Sequence, residues 1–480
     1  MFFVLTGDTI MQRAVFISAA IALACGTSQI GTAAEPKLEP IAIGSRLELF
    51  VDEHMIESLS GDAKLYLHKP EPREVVLVTD EPWEGSTCAY NNVFQDGDLF
   101  RLYYRGAYSY DDKQASKQRR REITCYIESK DGIHWTKPDL GLFEYQGSKE
   151  NNVVWDGPGT HNFTSFKDAN PDAPDEAKYK ALGRGRGGLL AFKSPDAIHW
   201  SLMADKAVIT HGAFDSQNLA FWDSVRGEYR AYWRIFKSGV RDIRTATSKD
   251  FINWGPWTDL DYGKAPKEHL YTNAILPYER APHIFIGFPA RFLPKTQQVE
   301  PIFMASRDGH TFRRWTEALI PLDAPQDRAG NRSNYMAWGL VQLPDNDREY
   351  SVYASEAYGK YGGPYSRLRR FTYRVDGFVS VRTSGEGGEV VTKPLTFSGN
   401  KLAINFATSA QGSVRIEIQE VEGRAIDGFT LAACDELRGD AIEQVVAWKS
   451  DADLGAMAGK PVRLRFALNN ADLFSFRFVE

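Results

Sequence analysis

The sequence predicts an all-β protein, a five-bladed β-propeller followed by a small C-terminal β-sandwich. Three observations support this fold class. The 480 residues include 40 Gly, 28 Phe, 21 Tyr and 11 Trp, and they form many short alternating runs, as strands joined by turns do. One short motif recurs at intervals that suit one propeller blade. After Val381 the pattern changes to a Gly-rich joint that is followed by short alternating runs.

The recurring motif has the form Ser-x-Asp-x-x-x-aromatic. Its four copies begin at Ser129, Ser194, Ser248 and Ser306, which are 65, 54 and 58 residues apart. Ser and Asp side chains accept hydrogen bonds from nearby backbone N–H groups, and an Asp-Gly step permits positive φ. The motif therefore predicts a tight turn between two strands, which we call a corner. A degenerate fifth copy lies at residues 373–378.

Similar short strands precede each corner. Each unit is an antiparallel meander of four strands and roughly 55–65 residues, and stacking several such units radially buries the faces that one unit leaves exposed. Five units between about Leu47 and Val381 predict five blades. The alternative is an irregular set of β-sandwiches. Beyond Val381, short alternating runs predict about seven strands in a small sandwich.

Four segments are predicted along the chain. Residues 1–34 form a secretory signal peptide, whose true start is Met11, and they combine a positive n-region, a short apolar run and small residues before Glu35. The propeller then spans residues 35–383, a linker residues 384–389, and the sandwich residues 390–480. A secreted or periplasmic location follows. Lipoprotein anchoring at Cys25 is disfavoured by its poor lead-in, Ala-Leu-Ala.

Charge and cysteine content exclude several classes of function. The formal net charge is −6, whereas a general nucleic-acid binder needs a basic face. Apart from the apolar run of the leader, which is too short to span a bilayer, no stretch suggests a membrane span. Three cysteines remain after the leader, and neither CxxC nor HExxH occurs. We therefore expect no metal and no cofactor, apart from a structural ion on the propeller axis, which the sequence does not reveal.

The predicted layout resembles glycoside hydrolase family 32, with family 43 as a close relative. The resemblance rests on the five blades, the Ser-x-Asp-x-x-x-Trp corners and the C-terminal sandwich. In place of the family's first-blade Trp-Met-Asn-Asp-Pro-Asn-Gly segment stands Trp83-Glu84-Gly-Ser. Asp168 is nearest to its Arg-Asp-Pro motif, and Asp215 opens the blade that carries Glu-Cys in the family. The resemblance implies an active site on the propeller axis.

Polar residues at the starts of the innermost strands are expected to converge on that axis. Glycosidic cleavage needs a carboxylic acid to protonate the leaving oxygen and a carboxylate to act as nucleophile or base. The candidate catalytic residues are Glu84, Asp215, Glu268 and Asp168. The candidate substrate-binding residues are Trp83, His161, Asn162, Gln217, Asn218, Tyr271, Asn273, Arg291 and Arg332.

The predicted function is hydrolysis of a polysaccharide or oligosaccharide by paired carboxylates, with carbohydrate as the expected partner. Two alternatives stay open. A propeller of this kind can bind carbohydrate without catalysis, because a fold does not fix function. A glycoside phosphorylase on the same scaffold needs a basic phosphate site at the axis, for which Arg291 and Arg332 are the candidates. The sequence predicts no oligomeric state.

Overall fold

The computed structural model describes residues 39–107, 122–322, 333–356, 358, 366–449 and 452–480. The predicted signal peptide, including Cys25, lies outside the described residues, as does Arg332. Strands dominate the described part of the chain, with two short 3-10 helices at Asp175–Ala177 and Leu454–Met457. No helix within these residues is long and apolar enough to cross a bilayer.

The chain begins with strands that do not belong to the first blade. Each of the first four pairs with a strand near the C-terminus, and the fifth pairs with a strand of the last blade. The five strands are β1 (Ile41–Gly44), β2 (Glu48–Leu49), β3 (Ile56–Gly61), β4 (Lys64–Leu67) and β5 (Glu71–Val78).

The first three blades are four-stranded antiparallel meanders in sequence order, as predicted. Blade one contains β6 (Ala89–Asp96), β7 (Leu99–Gly106), β8 (Ile123–Ser129) and β9 (Val153–Trp155). Blade two contains β10 (Gly159–Lys167), β11 (Tyr179–Gly185), β12 (Gly188–Ser194) and β13 (Ser201–Leu202). Blade three contains β14 (Leu219–Asp223), β15 (Glu228–Lys237), β16 (Val240–Ser248) and β17 (Thr258–Asp259).

Blade four carries an extra three-stranded sheet, and blade five is closed by the N-terminal strand β5. The blade-four region contains β18 (His269–Leu270), β19 (Ile275–Tyr278), β20 (Ala281–Gly287), β21 (Ala290–Leu293), β22 (Gln298–Pro301), β23 (Met304–Ser306) and β24 (Phe312–Arg314). Strands β18, β21 and β22 form the extra sheet. Blade five pairs β25 (Glu349–Glu356) with β26 (Arg367–Arg374), and β26 with β5. Residues 336–341 form the innermost segment of blade five and pair with β25 through isolated bridges.

The C-terminal region folds around two long strands that bend back on themselves. The remaining strands are β27 (Val379–Arg382), β28 (Gly388–Thr392), β29 (Leu395–Phe397), β30 (Lys401–Gln419), β31 (Asp440–Val445) and β32 (Arg463–Val479). The pairing of β30 with β32 is interrupted between Thr408 and Ser413, so the two halves of this hairpin form two layers around a separate apolar core.

Strand pairing differs from the predicted boundaries at both ends of the propeller. Strand β3 pairs with β28, β4 with β27, and β2 with β32, so residues 41–67 belong with the C-terminal sheet. The predicted linker at residues 384–389 lies between β27 and β28 of that same sheet. The C-terminal sheet therefore takes strands from before and after the propeller in sequence, and a division at residue 383 cuts through that sheet.

The innermost strands of the five blades lie side by side around one axis. Amide side chains link three neighbouring pairs: Asn92 Nδ2 donates to Ser165 O at 2.8 Å, Asn162 Nδ2 donates to Ser216 O, and Asn273 Nδ2 donates to Gln217 O at 3.3 Å. The circle continues through Trp338 Nε1, which donates to Ile275 O at 2.8 Å, and closes with a bridge between Asn92 and Trp338. All five predicted blades are thus present.

The four predicted corners share one hydrogen-bond pattern. In blade two, Ser194 Oγ accepts from the N–H groups of Asp196 and Ala197 at 3.3 and 2.9 Å. Asp196 Oδ1 accepts from the N–H groups of Ile198 and His199 at 3.0 and 2.8 Å. The residue after the Asp has positive φ in all four corners, even where it is Ala197 or Phe251 rather than glycine. The hydrogen bonds of the Ser and Asp side chains therefore stabilise the turn even where the residue with positive φ is not glycine.

These corners predict a loss of stability in acid. Burial opposes the charge on Asp196 and Asp250, but hydrogen bonds from backbone N–H groups and neighbouring side chains lower both pKa values from 3.8 to about 2. A lowered pKa contributes stability that is present above pH 3.8 and is lost as the pH falls through about 2. We expect the melting temperature to drop over this range, and to drop less steeply in an Asp196→Asn, Asp250→Asn double variant. Parallel pH dependence of the two proteins would contradict a role for the corners.

Candidate functional site

The end of the axis where the innermost strands begin is called the axial face here. In an antiparallel meander the second strand ends, and the third begins, at the end where the first began. Residues at the β7–β8 and β15–β16 connections therefore reach the axial face together with the starts of β10 and β14. Each blade thus offers two segments to this face.

Eight side chains from all five blades form a closed circle at the axial face, which we call the axial girdle. Blades one and three each contribute a side chain near the start of the innermost strand and an arginine on the second strand, and blade five contributes two tyrosines. The members are Tyr90, Arg105, His161, Asp215, Arg234, Tyr271, Tyr335 and Tyr358.

Half of the girdle is aromatic. The guanidinium of Arg105 lies 4.8 Å from the centre of the Tyr90 ring, and its Nη2 donates to the Tyr358 hydroxyl at 3.2 Å. The ring of Tyr358 lies 5.2 Å from that of Tyr335, which lies 5.8 Å from that of Tyr271. Aromatic faces of this kind suit the apolar faces of sugar rings, while the hydroxyls supply polar contacts.

The other half of the girdle is charged. The guanidinium of Arg234 lies 4.7 Å from the centre of the Tyr271 ring, and its Nη2 lies 3.9 Å from Asp215 Oδ2. Asp215 Oδ1 lies 2.6 Å from His161 Nε2. The His161 ring closes the circle, with its centre 5.9 Å from that of Tyr90.

Glu122 extends the charged half into a chain of three groups. Its carboxylate lies 2.9 Å from His161 Nδ1, so the imidazole stands between two carboxylates. The exposed fraction of the side chain rises from 19% for His161 to 53% for Asp215. Asp215 is therefore the member of this chain that a bound ligand meets first, with His161 behind it.

The protonation of this chain follows from its contacts. Burial opposes a charge on His161, but hydrogen bonds to Asp215 and Glu122 outweigh it and raise the pKa of the imidazole. The hydrogen bond with His161 lowers the pKa of Asp215 to about 2, against the effect of burial. Burial alone would raise the pKa of Glu122. The hydrogen bond with His161 and the charge of Arg105 outweigh burial and lower this pKa. These shifts favour the charged form of each group, which is an imidazolium between two carboxylates.

Among the predicted site residues, the structure brings His161, Asp215 and Tyr271 into the axial girdle. Asn162, Gln217, Asn218 and Asn273 lie beneath it and are fully or almost fully buried. The amide groups of Asn162 and Asn218 donate to the Phe214 carbonyl oxygen at 2.5 and 3.1 Å. Because these amides bind backbone atoms, they position the loop that carries Asp215.

Glu84, predicted as nucleophile or base, is completely buried within blade one. It accepts hydrogen bonds from the Tyr104 hydroxyl and from Lys137 Nζ, the latter at 2.9 Å. Burial raises the pKa of Glu84, although Lys137 and Tyr104 act in the other direction. Its neighbour Trp83 donates from Nε1 to Asn152 Oδ1 at 2.8 Å. Within the described part of the chain, neither residue has a hydrogen bond, ion pair or ring contact with a girdle member, because Glu84 is buried in the blade and Trp83 packs against it half-buried.

Glu268, Arg291 and Asp168 are likewise engaged away from the girdle. Glu268 accepts from Arg291 and Arg314 at 2.9 and 2.5 Å, and Arg291 also contacts Glu300 at 2.6 Å, which forms a local ion network. Asp168 follows the end of β10 and therefore lies at the opposite end of the axis. There it binds Lys180 and the Tyr229 hydroxyl and lines a cavity of about 450 Å³.

Five residues at the axial face are not among the predicted site residues: Glu122, Arg105, Arg234, Tyr335 and Tyr358. Only the starts of innermost strands were predicted to reach this face, whereas Arg105 and Arg234 lie on second strands, Glu122 directly precedes a third strand, and the two tyrosines lie in blade five. Charged residues in the second half of a second strand or just before a third strand are the signal that points to the first three. The described residues contain no group of three or more His, Cys, Asp or Glu side chains arranged to hold a metal ion.

Comparisons with known proteins give structural neighbours only. No protein-family model and no curated protein matches the chain. A glycoside hydrolase family 43 arabinoxylan arabinofuranohydrolase from Bacillus subtilis is 11% identical, with 84% of this chain and 97% of that chain covered and a TM-score of 0.42. An N-acetylgalactosamine deacetylase from F. plautii is 12% identical, with 65% and 96% covered and a TM-score of 0.46. A β-1,2-mannobiose phosphorylase from Listeria innocua is 12% identical, with 64% and 96% covered and a TM-score of 0.42.

Proposed function

We propose that this protein is a carbohydrate-active enzyme that hydrolyses a glycosidic bond at the axial face. The observation that carries the proposal is the Glu122–His161–Asp215 chain, whose exposed end opens into a girdle of tyrosines. The half-buried rings of Tyr271, Tyr335 and Tyr358 can contact sugar rings, and the chain supplies a proton beside them. Secretion through the predicted signal peptide would place this activity outside the cytoplasm.

In the proposed reaction Asp215 and His161 act as one proton relay. The pair passes a proton to the leaving oxygen as the bond between that oxygen and the anomeric carbon breaks. Water then adds to the anomeric carbon and returns one proton to the relay, so two hydroxyl products form. The ionised carboxylate of Asp215 also stabilises the positive charge that develops on the sugar ring in the transition state.

The test is a glycan panel incubated with the protein that begins at Glu35 and with its Asp215→Asn variant. We expect sugar release by the former on at least one glycan, and a rate at least about 100-fold lower for the variant, because acid–base groups contribute roughly that much or more. Reducing-end assays and mass spectrometry of the products measure both rates.

Asp205→Asn, which removes an exposed carboxylate from blade two, is the matched control and should retain full activity. Thermal unfolding of both variants separates lost chemistry from lost folding. Equal release by the wild-type protein and Asp215→Asn would remove the relay from the mechanism. Binding of a glycan with no release by the wild-type protein would favour a carbohydrate-binding propeller instead.

A further inference from the structure

The arginines around the axial face are paired unlike the other buried arginines among the residues that the structure describes. Elsewhere a buried guanidinium donates directly to a carboxylate, as from Arg314 to Glu268 at 2.5 Å and from Arg369 to Glu356 at 3.2 Å. At the axial face, Arg105 and Arg234 approach their nearest carboxylates, Glu122 and Asp215, no closer than 3.8 and 3.9 Å. They therefore make no hydrogen bond to a carboxylate within the described part of the chain.

Arg241 adds a third guanidinium to this face. It is the second residue of the third strand of blade three and lies 5.2 Å from the centre of the Tyr271 ring, the ring that Arg234 also covers. Its side chain has a polar contact with Nδ1 of His269, at 3.4 Å, and no described carboxylate lies within ion-pair distance. Arg241 and Arg234 thus place two positive charges on one aromatic ring.

Buried donor atoms on all three arginines lack partners. These are Nε of Arg105, Nη1 of Arg234 and Nε of Arg241, none of which finds a hydrogen-bond acceptor in the described residues. The side chains of Arg105 and Arg234 are only 6% and 5% exposed. A buried charged donor without an acceptor is costly, and a guanidinium suits the oxygen atoms of carboxylate, sulfate and phosphate groups.

We propose that the axial site recognises an anionic group, held by Arg234 and Arg241 beside Tyr271, and that the substrate is therefore an acidic sugar. This inference rests on the proposed function for the sugar, and on the arginines alone for the anion. The three arginines outnumber the two carboxylates of Glu122 and Asp215, so an anionic ligand balances the charge of the site. The same chemistry would accept free inorganic phosphate as a second ligand.

The test measures binding of monosaccharides, which contain no bond to cleave, so its result is independent of hydrolysis. Galacturonate and galactose 6-sulfate are compared with galactose, and glucuronate with glucose, by ligand-observed NMR and thermal shift; inorganic phosphate forms a separate arm. We expect an acidic sugar to bind about tenfold or more tightly than its neutral partner, as charged hydrogen bonds contribute that much.

Arg241→Gln should abolish this preference, and thermal unfolding of the variant shows that it is folded. Arg244→Gln, on the same strand but paired with Asp259 at 2.6 Å, is the matched control and should keep the preference. Tight binding of phosphate that competes with no acidic sugar would identify a free anion as the ligand. Equal binding of acidic and neutral sugars, with no phosphate binding, would overturn the inference even if hydrolysis is observed.

Discussion

The Arg307→Met variant is expected to lose about 3–5 kcal/mol of unfolding free energy, because it leaves Oε2 of the buried Glu48 without its cation, while Arg46 and His283 contact only Oε1. Arg307 follows the corner serine of blade four. Its Nη1 lies 2.6 Å from Oε2 of Glu48, and its Nε lies 3.0 Å from Oδ2 of Asp52. Its Nη2 donates to the carbonyl oxygen of Leu49 at 3.2 Å.

Glu48 is the buried partner that would lose this cation. Its side chain is completely buried, and burial alone would favour the neutral form. Hydrogen bonds and charge from His283 and Arg307 nevertheless lower the pKa of Glu48 to about 2. Since Glu48 lies on β2, which pairs with the long strand β32, the ion pair joins blade four to the C-terminal sheet.

Urea unfolding followed by tryptophan fluorescence measures the loss. The matched control is Lys249→Met, at the same position of the blade-three corner, where the side chain is 72% exposed. We expect this control to change the free energy of unfolding by about 0.5 kcal/mol or less. Similar unfolding midpoints for the two variants would show that the buried pair contributes nothing beyond a surface charge.

The His161→Gln variant is expected to lose about 100- to 10,000-fold in the rate of sugar release, because it removes the proton held between two carboxylates. Its effect should fall on kcat more than on KM, since Asp215 stands between His161 and solvent. A larger change in KM than in kcat would assign His161 to holding the loop rather than to the relay.

Glu122→Gln tests the same relay through pH. The hydrogen bond to Glu122 helps raise the pKa of His161, and the relay needs the protonated imidazole. Activity should therefore decline as the pH rises through that raised pKa, and the decline should move to lower pH in the variant. An alkaline limb at the same pH in both proteins would exclude His161 as its origin.

The repeated corners made the propeller predictable, because each one depends only on local hydrogen bonds. Ser129, Ser194, Ser248 and Ser306 each lie at the end of a third strand, where the sequence placed them. The closure of blade five was not predictable in this way. Leu77 pairs with Leu368, and no local pattern reports a partner so far along the chain.

The candidate site was predictable only in part for a similar reason. The starts of innermost strands are readable from the repeats, and they yielded His161, Asp215 and Tyr271. Whether a carboxylate at such a position faces the axis depends on which cations pack against it. Lys137 forms an ion pair with Glu84 inside blade one, and Arg314 forms one with Glu268 in the blade-four region. The spacing of residues in the sequence reveals neither ion pair.

The pairing of β5 with β26 has a consequence for how the molecule is made. Blades one to three are local meanders that can form as soon as their own residues have left the ribosome. The circle of blades stays open until β26 has been synthesised and pairs with β5, which lacks this partner until then. Tyr335 and Tyr358 are also synthesised late, so a chain that ends before blade five lacks two of the eight side chains of the axial girdle.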